Sequence, residues 1–226
     1  MGDVFFDATP WRRAVVDCLR QNGVAMDYPG FCRRWEAKLV PVYLGRQAYW
    51  DAFGELLVEL GLPQAARGEV LAFAHERARE AENRILFEGV AETLARLQQA
   101  GLRLAVLSDT ESREPRVRQR LARLGIEACF DAVVTSIDIG EVKPSPAAYA
   151  AALDRLRVTA AEAVFVGHDE EELAGARRCG LTTVAFNHES GTPADYHLRH
   201  FKELLSLPGL DVPSPETTLR VVPGEG

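Results

Sequence analysis

Polar groups that can attack, hold or neutralise a substrate stand at the ends of short apolar runs. Asp7 follows Val4-Phe5-Phe6, and Ser108 and Asp109 follow Leu102 to Leu107. Lys143 lies in Val142-Lys143-Pro144-Ser145-Pro146, and the acidic run Asp169 to Glu172 trails Ala163 to Gly167. In an open parallel sheet the ligand crevice lies at the carboxyl ends of the strands, so these groups are expected to meet in one pocket. An aspartate can act as a nucleophile, a hydroxyl and an ammonium can hold anionic oxygens, and paired carboxylates can hold a divalent cation. Together they suit a phosphoryl-like group.

Each residue also has a plainer role. Asp7 suits the start of the helix opening near Pro10, because aspartate caps helices well. Ser108 can close a strand, and Lys143 can be a solvated loop residue. Asp169, Glu170, Glu171 and Glu172 all sit where negative charge favours the positive end of a helix. His75, His188, His197 and His200 have no spacing that suggests a metal site or a triad.

The elements that must position these groups are legible as periodicities. Asp3 to Phe6 reads as a short strand. From Trp11 to about Glu82 apolar residues recur at helical spacing, and Gly23, Pro29-Gly30, Pro41, Gly45, Gly61 and Pro63 divide the stretch into about four helices. After Leu86 strands and helices alternate: strands at Leu102 to Leu107, Ala132 to Thr135, Val164 to Val166 and Thr182 to Phe186, helices between them, and an edge strand near His197 to Phe201. That alternation predicts an α/β, Rossmann-like parallel sheet joined by the first strand, with an all-helical insertion. The expected division is a core of residues 1–10 and 83–207, a helical module of 11–82, and a loosely held proline-rich tail of 208–226.

The chain has 226 residues, 47% hydrophobic and 26% charged, with a net charge of −7. That balance argues against a nucleic-acid partner, which draws on clustered Lys and Arg. The basic residues between Arg113 and Arg123 read as solvated helix faces. With only Lys38, Lys143 and Lys202 as lysines, Lys143 stands out. The expected setting is the cytoplasm, without membrane contact, as monomer or homodimer on a small-molecule substrate. Cys18, Cys32, Cys129 and Cys179 are scattered and read as small buried hydrophobes, without zinc or disulfides.

The segments Leu102 to Asp109, Gly140 to Tyr149 and Val164 to Gly180 resemble the haloacid dehalogenase (HAD) superfamily of hydrolases, in the subgroup whose helical (C1-type) cap follows the first strand. The likeness runs from about Val4 to Leu207. It implies that Asp7 attacks the substrate and forms a covalent acyl intermediate, that Ser108, Asp109 and Lys143 bind the substrate, and that the reaction is phosphate-ester hydrolysis. It further implies magnesium, held by Asp7, the Thr9 carbonyl, and Asp169 or Glu172. Two departures stand out. Thr9 occupies the position where phosphatases of the superfamily carry a second aspartate as general acid and base, which bears on the rate by about 10²–10⁴. His168, in Gly167-His168-Asp169, stands where many have aspartate, making it a candidate substrate contact. Metal-independent carbon–halogen hydrolysis and a catalytically weakened binding protein are the alternatives.

Overall fold

In the computed structural model, which describes residues 4–80, 85–210 and 212, the helical periodicity of the first third resolves into four helices. These are α1 (Thr9–Gln21), α2 (Tyr28–Tyr43), α3 (Tyr49–Glu59) and α4 (Gln64–Glu80). Thr9 and Pro10 open α1 with the fixed φ that suits a first turn, and Asp27 caps α2 by accepting from Gly30 N at 2.8 Å. Pro41 was expected to break the chain but lies inside α2, close to its end at Tyr43. Its ring removes one i to i−4 hydrogen bond, and the helix ends two residues later.

The inward faces of α1 to α4 make one apolar cluster that includes Val15, Leu19, Phe31, Trp35, Phe53, Leu56, Leu57 and Val70. Trp35 sits edge-on to Tyr49 and Phe53 at centroid distances of 5.0 and 5.5 Å. Trp11 donates its indole N–H to Ala74 O at 2.9 Å, satisfying the polar end of a ring packed among aromatics.

The second part alternates as predicted, through α5 (Val90–Gln99), β1 (Ala105–Ser108), α6 (Glu114–Arg123), β2 (Ala132–Thr135), α7 (Ser136–Ile139), α8 (Pro146–Leu156), β3 (Val164–Gly167), α9 (Glu170–Arg178), β4 (Thr182–Phe186) and β5 (Tyr196–Leu198). All strand pairs are parallel: β1 with β2, and β3 with β4 with β5. The edge strand is shorter than expected, and Phe201–Ser206 is a 3₁₀ helix. Apart from Leu210 and residue 212, the tail beyond Gly209 lies outside the described residues, as do Asp3 and residues 81–84.

One expectation is overturned. Val4 to Phe6 do not join the parallel sheet, so the described strands fall into a pair and a triplet. Phe6 makes a single antiparallel bridge with Leu86, and Phe87 N donates to Phe5 O at 2.8 Å. The physical reason is that both phenylalanines are buried without a ladder. Phe5 lies 5.7 Å from the Phe130 ring and 6.3 Å from Phe201, within a cluster that spans both half-sheets. Burying each such side chain is worth about 1.5–3 kcal/mol, against about 0.5–1.5 kcal/mol net for a ladder hydrogen bond, so packing wins.

Two smaller readings change. Only Cys129 is buried; Cys18, Cys32 and Cys179 are partly exposed, and all four are free thiols. The basic residues of α6 are engaged rather than merely solvated: Arg118 pairs with Glu114 and Glu127, and Arg120 with Glu111. Among the described residues no helix is long and apolar enough to cross a membrane.

Candidate active site

Lys143 is the hub. Its side chain is only 6% exposed, and its Nζ lies 3.3 Å from Asp109 Oδ2 and 3.2 Å from Glu172 Oε1. Asp109 follows β1 and Glu172 sits in the first turn of α9, which follows β3. The ammonium therefore ties the carboxyl ends of the two half-sheets together. Asp109 also accepts from the Lys143 backbone N–H through Oδ1 at 3.3 Å.

Burial sets the electrostatics. It raises the Asp109 carboxyl above the ordinary carboxylate range; the Lys143 ammonium opposes this, while Glu172 reinforces it. For Lys143 burial acts against the charged form, yet Glu172 and Asp109 outweigh it and hold the ammonium. One cation facing two carboxylates leaves the cluster short of positive charge.

Close packing fixes this geometry. The Tyr149 hydroxyl on α8 donates to the Glu172 carbonyl at 2.6 Å. Gly175 makes room for both neighbours: a Cβ there would stand 2.5 Å from Pro144 Cβ and 2.8 Å from the Tyr149 hydroxyl oxygen. The Lys143–Pro144 peptide is cis. Ser108, 3% exposed, closes β1 beside Asp109.

The remaining expected groups form no ion pair with Lys143. Asp7 is exposed, and its carboxylate accepts from Thr9 N at 2.8 Å, which is the helix-start role its sequence position also allowed. Asp7 is not among the carboxylates within ion-pair distance of Lys143. Thr9 is the first residue of α1. Asp169 caps α9, accepting from Glu172 N at 2.9 Å, and His168 precedes it in the loop after β3. Of the oxygens expected for magnesium, those of Asp7, Asp169 and Glu172 are thus engaged by Thr9 N, Glu172 N and Lys143 Nζ in turn. Among the described residues no cluster of three or more His, Cys, Asp or Glu side chains could hold a metal ion. As placed, these residues do not fit the ion. Asp7 itself sits outside the sheet, where the first strand was to carry it inward.

Sequence reasoning overlooked the polar groups beneath the hub. Ser136 Oγ donates to Tyr43 O at 2.9 Å, accepts from Thr110 N at 3.0 Å, and so pins the end of α2 beside the loop after Asp109. Glu111 is held below its ordinary range: burial pushes it up, but Arg120 and Ser112 are stronger together. The signal was available, because Thr135 and Ser136 close an apolar strand as Ser108 and Asp109 do. Trp11, Tyr49 and Trp50 pack on the apolar cluster of the helical cap, where Trp50 stacks on His75 at 3.6 Å between centroids.

The chain is 34% identical over 146 residues to pyrophosphatase PpaX of Bacillus velezensis, covering 62% of this chain and 66% of that one. It thus spans somewhat less than two thirds of that relative's length. Among solved structures, the putative HAD-hydrolase YfnB of Bacillus subtilis, bound to magnesium, superposes with a TM-score of 0.68 at 18% identity over 91% of this chain and 94% of that one. The L-2-haloacid dehalogenase of Xanthobacter autotrophicus, with chloropropionic acid covalently bound, gives 0.58 at 20% identity over 88% and 92%. The sequence model of the haloacid dehalogenase-like hydrolases matches residues 10–180, most of the chain, and the fold is the α/β core with helical cap that the alternation of elements predicts. The protein belongs to the haloacid dehalogenase-like hydrolase family.

Proposed function

We propose that the protein hydrolyses the phosphate monoester of a small metabolite, with the phosphoryl group received at Lys143. The observation that carries this reading is the buried ammonium between Asp109 and Glu172 where the two half-sheets meet. A preorganised cation in a largely dry place stabilises negative charge more strongly than one in water. Ser108 and Asp109 flank the same point, and the name of the Bacillus velezensis relative agrees with phosphoryl chemistry.

In this reading an Asp7 carboxylate oxygen bonds to phosphorus as the ester P–O bond breaks, and the leaving alkoxide takes up a proton. Water then attacks the acyl phosphate, releasing inorganic phosphate and restoring the carboxylate. Because Asp7 is exposed and holds Thr9 N, attack requires the 4–9 segment to turn that carboxylate toward Lys143. Thr9 carries no acid for the leaving group, so the first proton comes from solvent or from another side chain.

The test is a panel of phosphate monoesters with and without magnesium, run on the wild type, Asp7→Asn and Lys143→Met. The expected outcome is phosphate release lost in both variants. Equal turnover by Asp7→Asn rejects the nucleophile. Replacing Thr9 with aspartate is expected to raise the rate by about tenfold or more if proton transfer limits it. A second reading, a ligand-binding protein with little turnover, draws on the solvent position of Asp7. It is supported if phosphate esters bind but are not hydrolysed.

A further inference from the structure

Parallel β4 and β5 end side by side, with Phe186 opposite Leu198, and a cavity of about 350 Å³ opens where the chain leaves them. That volume lies at the lower end of the range for small-molecule sites, about 300–1,000 Å³, and the carboxyl edge of a parallel sheet is where such folds bind ligands. Neither Lys143 nor the two carboxylates around it line this cavity. Its floor is apolar. Phe186, Leu198 and Phe201 are buried and Phe87 is half-buried, with Phe186 edge-on to Phe87 at 5.8 Å and to Phe201 at 5.3 Å.

Three fixed segments make the walls. Asn187, at φ +51°, turns the chain sharply out of β4, a conformation that asparagine tolerates better than most residues with a side chain. His188 behind it is held by its Nδ1, 2.7 Å from the Glu189 carbonyl oxygen, and by the ring of His197 at 5.0 Å. The turn before α5 brings in Glu88, and a Cβ on the adjoining Gly89 would stand 3.8 Å from Lys202 Cβ, so this wall meets the 3₁₀ helix. Arg199 and His200 follow β5, and Glu203 accepts from Arg199 N at 3.0 Å, which fixes the backbone there.

Two opposite charges stand exposed at the edge of this apolar floor. Arg199 and Glu88 both line the cavity, yet among the described residues neither side chain forms an ion pair or hydrogen bond, with the other or with a third group. A lone anion would meet Glu88 and a lone cation would meet Arg199, whereas one molecule carrying both charges satisfies both. His188 agrees with this: a neutral imidazole whose Nδ1–H donates to a carbonyl keeps Nε2 as an acceptor, which suits an ammonium. We infer that the cavity binds a free α-amino acid with an apolar side chain, the carboxylate on Arg199, the ammonium on Glu88, and the side chain on the floor of Phe87, Phe186 and Phe201.

L-Phenylalanine is the probe, with hydrocinnamate, which lacks the ammonium, and phenethylamine, which lacks the carboxylate, as controls. Calorimetry on the full chain gives the affinities, and imidazole NMR signals, assigned through His168→Gln, His188→Gln and His200→Gln, give the place of binding. L-Phenylalanine is expected to bind about three- to tenfold more tightly than either control, as one charge-assisted contact at an exposed edge does. It should move the signals of His188 and His200 and leave those of His75, in the cap, and of His168, beside Asp169, unchanged. Arg199→Gln is expected to erase the preference over phenethylamine and keep that over hydrocinnamate, and Glu88→Gln to do the reverse, with thermal unfolding of both variants matching the wild type. Absence of binding, a control bound as tightly as L-phenylalanine, preferences that survive both substitutions, or movement of the His168 signal overturns the assignment.

Discussion

Lys143 and Asp7 were expected side by side, and they occupy opposite conditions. Three elements beyond its own loop grip Lys143: Asp109 at the end of β1, Glu172 on α9, and Tyr149 on α8 through the Glu172 carbonyl. Asp7 has a partner two residues along the chain and stands in solvent. The binding centre is thus a product of long-range packing, whereas the position of the nucleophile candidate is a local turn. A buried ionic hub resists displacement because any move strands a charge; an exposed carboxylate exchanges one neighbour for water at little cost.

The strongest way to break this contrast is Lys143→Met. It leaves Asp109 and Glu172 facing each other without their cation, and is expected to cost about 3–5 kcal/mol in urea unfolding, since losing one partner exposes the full desolvation penalty of the others. The same ammonium gives the wild type an alkaline limb. The folded state holds the Lys143 proton above the unfolded value of 10.5, so this contribution is complete below that pH and fades as pH rises through the higher folded value. Stability measured across that range should show the limb in the wild type and lack it in the variant.

Gly175→Ala comes next. The added methyl meets Pro144 and the Tyr149 hydroxyl well inside contact distance, and about 1–3 kcal/mol of destabilisation is expected. If unfolding shows no loss, the Pro144 loop is looser than its contacts imply. Tyr149→Phe removes the donor to the Glu172 carbonyl and should cost about 1 kcal/mol, with weaker phosphate binding as its functional readout. Asp7→Asn is expected to change stability by less than about 0.5 kcal/mol, as exposed substitutions do, while abolishing turnover. A large stability change there would mean that Asp7 is held by more than Thr9.

Much of the fold was legible because periodicity is a local property. The spacing of Phe31, Trp35 and Leu39, or of Phe53, Leu56 and Leu57, identifies a buried helix face without knowing what it packs against. Lys143 in its Lys-Pro-Ser-Pro setting and Asp109 at a strand end were equally readable. The coupling of Lys143 to Glu172 was not, because the residues are far apart in sequence and Glu172 was read as a metal ligand. Nor was the Ser136–Tyr43 contact, which joins a strand end to a helix of the cap.

The amino-acid order by itself determined the alternation of strands and helices after Leu86, the helical insertion, and the polar residues that close the strands. Tertiary structure decided which of those polar residues share one buried cluster, and that Val4 to Phe6 meet their need for burial outside the ladder. The physical reason is range. Propensity and amphipathic spacing act within a few residues, whereas ion pairing, desolvation and strand pairing depend on groups that only folding brings together.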